Sequence, residues 1–279
     1  MKIKIIICSV FTVSFFNVKA QETISAEINA KAEPTDQIDF NKTSAVVSYS
    51  KSLNTKNQFK NTFEYSNLKV NYEVGRFLAY DNLESFNQFK NKMEFLQQIS
   101  STTKLNYTVT PTVNYQQNLD FSDFTILGSL ELIQQINSKT NITIGAARTT
   151  VFGSPKFMPV FALNYKISTE SDLLLGFPDS KLSYSNNIRN KFSINNNFNG
   201  NFYNLDQKNN LDNSAKASLS QMTSTLEYER NIDTNWFINF KGGYDFYKKY
   251  ELLDSENHKI HDFNISNGYI LGVGIKYKQ

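Results

Sequence analysis

Apolar and polar residues alternate along most of this chain with the period of two that a β-strand imposes. In KLNYTVTPTVN, Leu105, Tyr107, Val109, Pro111 and Val113 share one face, opposite Asn106, Thr108, Thr110, Thr112 and Asn114. In GYILGVGIKYK, Tyr269, Leu271, Val273, Ile275 and Tyr277 oppose Ile270, Gly272, Gly274, Lys276 and Lys278. In WFINFKGGYDF, Trp236, Ile238, Phe240, Tyr244 and Phe246 oppose Asn239, Lys241 and Asp245. Such strands suit a sheet with something apolar on one side and water on the other.

The alternating stretches are separated by two kinds of connection. Six short polar turns are LNTKN (53–57), ISSTTK (99–104), INSKTN (136–141), ISTES (167–171), SNNIRN (185–190) and RNIDTN (230–235). Between them lie longer or less regular segments: 33–42, roughly 74–86, 116–123, 151–158, 177–181, 206–215 and 254–264. Tight turns at one end and longer loops at the other mark an outer-membrane barrel, with short turns in the periplasm and longer loops outside. The expectation is an all-β fold, a transmembrane antiparallel up-and-down β-barrel of about fourteen strands with both ends on the turn side. Twelve is the alternative, because 171–178 and 180–186 are short against the roughly 9–11 residues a spanning strand needs. The segment 81–98 has a second reading as a loop helix, since Leu83, Phe86, Phe89, Met93 and Leu96 also follow helical spacing. A strand across about 87–99 keeps the rhythm of tight turns. Phe77 and Tyr80, Phe121 and Phe124, Phe152 and Phe157, Phe202 and Tyr203, and Phe246 and Tyr247 flank the longer loops, as an outer aromatic girdle would.

The first twenty residues read differently. Lys2 and Lys4 precede an apolar core, Ile5 to Phe16, and Val18-Lys19-Ala20 forms a small-residue cleavage site before Gln21. This predicts a signal peptide at 1–20 and a barrel domain at 21–279. The only cysteine, Cys8, lies within that core, so the exported chain would hold none and form no disulfide. Removing Lys2, Lys4 and Lys19 from the 29 basic residues leaves 26, against 26 acidic ones. A neutral chain offers no electrostatic case for nucleic acid. The mean hydropathy of -0.44 and the 14% aromatic content fit together only if aromatic faces alternate with polar ones.

One stretch resembles a known family. FGSPKFMPVFALNYKISTESDLLLGFPDSKLSYS (152–185) is similar to the signature of a family of uncharacterised outer-membrane β-barrels classed as a domain of unknown function. That signature has a loop of the type Phe-Gly-x-Pro-x-x-x-Pro and a strand pair ending in Gly-Phe-Pro before a Tyr-bearing strand. Phe152, Gly153, Pro155, Pro159, Gly176, Phe177, Pro178 and Tyr184 match it, and SDFTILGSL (122–130) resembles the entry to the preceding strand. The resemblance implies a barrel in the outer membrane and brings no site residues. In one departure, barrels often end on an aromatic residue, whereas this chain ends Tyr277-Lys278-Gln279.

Candidate chemistry is sparse. His258 and His261, with Glu256 and Asp262 nearby, share one expected loop, where their spacing is common by chance and a solvated loop is the reading. No phosphate-binding loop is present, since GAARTTVFG lacks both the spacing and the lysine. No catalytic, metal or cofactor residues are assigned, and no enzyme activity or cofactor is expected. The inward faces gather Thr108, Thr110, Thr112, Thr223, Thr225 and Glu227, then Asn239, Lys241, Asp245 and Lys276, which fits a polar lumen. Three functions remain open: a passive channel for small polar solutes, a structural or surface-interaction barrel with a closed lumen, and a lipid-active enzyme. The expected partners are outer-membrane lipid, the barrel-assembly machinery and small polar solutes. They would be met at the loops, where Pro155 and Pro159 either make FGSPKFMP a rigid excursion that presents Lys156 at the mouth or merely stop strand pairing beyond the membrane edge.

Overall fold

The computed structural model describes residues 22–73, 83–206 and 213–279. The expected signal peptide and the segment holding Phe77 and Tyr80 lie outside the described residues. The strands are β1 (Glu22–Glu33), β2 (Ile38–Ser52), β3 (Asn57–Tyr72), β4 (Ser85–Gln98), β5 (Thr103–Tyr115), β6 (Phe124–Asn137), β7 (Thr140–Thr149) and β8 (Lys156–Lys166). There follow β9 (Ser171–Phe177), β10 (Asp179–Ser185), β11 (Asn190–Asn204), β12 (Lys216–Asp233), β13 (Trp236–Leu253), β14 (Lys259–Asp262) and β15 (Tyr269–Lys278). Each strand from β1 to β13 pairs antiparallel with the next, β13 pairs with β15, and β15 returns to β1. The wall is therefore a closed barrel of fourteen strands. The four-residue β14 adds only a short extension to β13.

Closure matters because a transmembrane sheet has no water to satisfy a free edge. The alternation read from sequence divides the two faces. Ile126, Leu130, Phe161, Leu226, Leu271 and Ile275 lie exposed on the outside, while Thr108, Thr112, Thr223, Thr225, Asn239 and Asp245 are buried inside. All six polar turns connect strands at one end, and both chain ends lie there too: Glu22 pairs with Lys51 and Lys278 donates its backbone N–H to Asn235 O. Residues 85–98 are a strand; their helical look arises because Phe86 faces in while Phe89 faces out, beside Tyr65 and Tyr115.

The strands are unequal in height. β3, β12 and β13 run 16, 18 and 18 residues, whereas β9 and β10 have seven each. At about 3.3 Å per residue and about 45° tilt, seven residues climb about 16 Å, less than the ~25 Å apolar band. The segment 177–181, expected as a loop, is nearly all strand: Pro178 alone separates β9 from β10, and Ser180 Oγ clasps Gly176 N and O at 3.1 Å each. Similarly, 33–42 contracts to 34–37. Pro159 lies inside β8, opposite Ala146 and facing outward, so the rigid excursion is only 150–155.

Above the low section the barrel narrows. Asn204, at the top of β11, pairs parallel with Tyr115, at the top of β5. This contact joins two strands that stand six apart around the base. At the loop end the ring is therefore β1–β5, β11–β13 and β15, nine strands, with β6–β10 left below. Inside the smaller ring sits a hydrophobic core that includes Phe40, Val70, Phe86, Tyr203, Tyr250 and Leu252. Tyr250 is its hub: it meets Phe40 edge-on at 5.5 Å, stacks on Phe263 at 4.4 Å and bonds the Tyr72 hydroxyl at 2.9 Å. Tyr203 therefore belongs to this core, not to the girdle, and Phe202 is buried as well; Phe121, Phe124, Phe152, Phe157 and Tyr247 remain exposed near the rim. Truncating Tyr250 to Ala should cost about 3–5 kcal/mol, checked as a lowered urea midpoint in bilayers with unchanged strand content by circular dichroism.

Candidate functional site: the barrel interior

Toward the turn end the interior is polar and ion-paired. Lys241 lies 3.1 Å and Lys181 3.7 Å from Glu227, Lys276 lies 3.3 Å from Glu229, and Lys92 lies 2.9 Å from Glu94. These partners sit on different strands or two residues apart on one strand, where alternation aims both inward. Each half-exposed pair contributes at most about 1 kcal/mol. Their value is in cancelling charge locally. Glu227, Lys241 and Lys276 were visible in the sequence as inward residues; their partners Lys181 and Glu229 were not.

Between this region and the hydrophobic core lies a buried ion cluster. Lys248 Nζ reaches Glu33 Oε2 at 2.6 Å and Asp245 Oδ2 at 3.3 Å, and Lys31 pairs with Glu33 from the side. Thr223 Oγ1 donates to Asp245 at 2.7 Å and Gln221 Nε2 donates to Glu33 at 3.2 Å. Two cations face two anions, each held by further hydrogen bonds, the condition under which buried charges are tolerated. A bulge places Lys248 here. The β12–β13 register shifts between Ser220 and Met222, and Tyr247 takes a positive φ of 51°. The shift turns Tyr247 outward and Lys248 inward, where unbroken alternation would aim the lysine at lipid.

The core then seals the loop end, and space opens to the side. A cavity of about 490 Å³ lies under the arch formed by β5 and β11, above the low strands. Its inner wall includes Lys90, Thr108, Thr110, Ser129, Glu131 and Thr143. At its outer end are Val151, Phe177 and Phe198, of which Phe177 and Phe198 belong to the lipid-facing side. A second space of about 390 Å³ lies toward the turn end, lined by Asn141, Asp172, Lys181 and Ser183 among others. Asn164 and Leu174 line both. Lys156 lies at the start of β8 and lines neither.

Two loops frame the arch. Residues 116–123 include a 3-10 turn, Phe121–Asp123, in which Asp120 N–H donates to Asp123 at 2.7 Å. Asn204 Nδ2 ties this loop to β11 by donating to Ser122 O at 2.7 Å. The histidines are elsewhere: His258 is exposed, with Nδ1 3.2 Å from Asp254, and His261 lies edge-on to Phe263 at 4.8 Å. Among the described residues no group of three or more His, Cys, Asp or Glu side chains is placed to hold a metal ion, and no helix there is long and apolar enough to cross a membrane.

Comparison with known proteins gives one family and a set of related folds. The family described as "Domain of unknown function (DUF6268)" matches residues 16–278. No curated protein matches the chain. An outer-membrane channel from Pseudomonas putida F1 is similar in structure, with a TM-score of 0.52 at 7% identity, over 96% of this chain and 98% of that one. A TodX deletion mutant, a monoaromatic hydrocarbon channel, gives 0.49 at 9% identity over 94% and 91%. The KdgM porin gives 0.40 at 8% identity over 90% and 98%. At these identities the first likeness shows the fold alone, a closed antiparallel β-barrel.

Replacing Lys248 by Met should destabilise the barrel by about 3–5 kcal/mol, because Glu33 and Asp245 are left buried with too little positive charge. The double change with Glu33→Gln should recover part of it, read from urea unfolding of the two variants. The loop 116–123 should respond to pH. Burial pushes the Asp123 carboxyl from 3.8 up to about 6, with Asp120 and Asp206 adding repulsion while Asp120 N–H and Asn204 favour the ion. A raised native value means the folded loop holds a proton that the unfolded loop releases. Loop stability is thus full below about pH 4 and falls as pH rises through about 6. Amide exchange of 116–123, corrected for intrinsic rate, should quicken between pH 4.5 and 7 in the wild type and stay flat in Asp123→Asn.

Proposed function

The chain belongs to this family of unknown function, its match running nearly end to end, and we propose that it is a passive outer-membrane channel for small polar solutes. The observation that carries this reading is the pair of adjoining cavities, about 390 and 490 Å³, that share Asn164 and Leu174. Together they trace a path from the turn end to the arch, lined by hydroxyl, amide and charged groups interleaved with apolar ones. Such a lining replaces part of the hydration of a polar solute, and its basic side chains, Lys90, Lys92, Lys139, Arg148, Lys166 and Lys181, outnumber the acidic Glu131, Asp172 and Asp179. No nucleophile and base are assigned to it, and it acts by passage, not by chemistry. In this reading residues 1–20 direct export, the chain from 21 onward is folded into the outer membrane by the barrel-assembly machinery, and the turns face the periplasm.

The hydrophobic core favours a second reading, a structural barrel with a closed lumen. Phe40, Tyr250 and their neighbours leave no straight route through the loop end, and the nine-strand ring is filled by side chains as small barrels are. Purified protein in a planar bilayer separates the two. The channel reading expects small conductance steps that favour chloride over potassium, because basic side chains outnumber acidic ones along the cavities. An absence of steps across salts and voltages removes it and leaves the closed barrel.

A further inference from the structure

We infer that the barrel's outer exit is in its side wall, at the arch over β9–β10, and that it admits amphipathic small molecules with an aromatic or short aliphatic body and a polar end. The inference rests on the passage reading and deepens it. The core closes the upward route, while one cavity touches both the lumen and the lipid-facing side. Its inner end offers Thr108, Thr110, Thr143 and Glu131 for a polar group. Its outer end is an aromatic cluster: Phe177 lies 5.3 Å from Phe198 and 6.1 Å from Phe152, and stacks on Phe161 at 6.3 Å. A polar solute gains nothing from such a mouth, whereas a ring or short chain transfers into it at about 25 cal/mol per Å² of apolar surface.

The β7–β8 loop, residues 150–155, covers this exit. Thr150 Oγ1 donates to Gly200 O at 2.8 Å, which occupies the edge of β11 that β10 is too short to reach. The loop sits directly on the bare backbone of Gly200: a Cβ there would stand 2.0 Å from Thr150 O and 2.7 Å from Gly153 N. Gly153, at φ 86°, turns the chain against Ser218 on β12. The seat is thus built from glycine on both sides, and a side chain at Gly200 pushes Thr150, Val151 and Gly153 off the strand.

The loop's side-chain bond to β11 comes from Thr150, so Thr150→Val releases it without adding bulk, while Gly200→Val pushes the loop off its seat. Proteoliposomes carrying wild type, Thr150→Val or Gly200→Val are tested for uptake of arabinose and of naphthalene-2-sulfonate. Naphthalene-2-sulfonate uptake is expected to rise at least three-fold in both variants. Uptake unchanged in both, with arabinose still passing, overturns the side exit and leaves the channel reading standing. No uptake of either probe in any of the three proteins overturns both.

Discussion

The contact between Asn204 and Tyr115 governs the upper half of the molecule. Toward the turns the wall has fourteen strands; at the level of the contact β6 to β10 have ended, with β11 unpaired by β10 beyond Asn197 and β5 paired with β6 only as far as Val113. A free edge in an apolar band would leave several backbone groups without partners, each costing several kcal/mol. The chain resolves this by bringing the two edges together, and a nine-strand ring follows. Nine strands enclose a space that side chains fill, so the hydrophobic core, with Tyr250 at its centre, is a consequence of the taper. The loops serve the same end. Phe198 N–H donates to Pro178 O, Thr150 covers Gly200 O, and Asn204 holds Ser122, so the margin of the arch is hydrogen-bonded.

The ion cluster occupies the boundary between the two halves for a related reason. Below it the lysines and glutamates of the lumen are part-exposed; above it lies the aromatic and aliphatic core. Lys248 spans that boundary, with its ammonium on Glu33 and its charge 4.3 Å from the centre of the Phe40 ring. A buried pair of this kind contributes little net stability compared with an apolar substitute. It does fix which way β13 faces: only one register lets Lys248 meet both acids, and that register also aims Tyr250 and Leu252 into the core.

The fold was legible in the sequence because its cause is local. Alternation with period two, six tight turns and two chain ends on one side require nothing beyond neighbouring residues, and all of them give the fourteen-strand ring. The taper was not legible, since the Asn204–Tyr115 contact joins positions 89 apart that no local pattern couples. The short β9–β10 hairpin did raise the question of strand number, and its shortness proves to be the notch in the wall. Lys248 carried a readable signal. Continuing the alternation of WFINFKGGYDF past Phe246 puts a lysine among lipid-facing positions, and such a charge requires a bulge. The loop glycines were recognisable as motif residues, but their purpose depends on Gly200, a strand glycine from another hairpin.

A straight pore and a side exit place different demands on a barrel, and the chemistry of this one fits the second. A straight pore needs equal strands and a wet loop end. Here the tallest strands close over an apolar core, and the polar lining instead turns toward the shortest hairpin. Along that route the character changes in order, from paired charges at the turn end, through threonines and asparagines, to phenylalanines at the outer wall. For a solute with a polar end and an apolar body, each stage lets a different part of the molecule find its partner before the next is desolvated. The loop over Gly200 then separates two apolar environments, the cavity mouth and the bilayer, so its opening exposes little that water must solvate. A cover of six residues held by one side-chain hydrogen bond and a glycine seat suffices for that, where a cover over a wet mouth would need to exclude water as well.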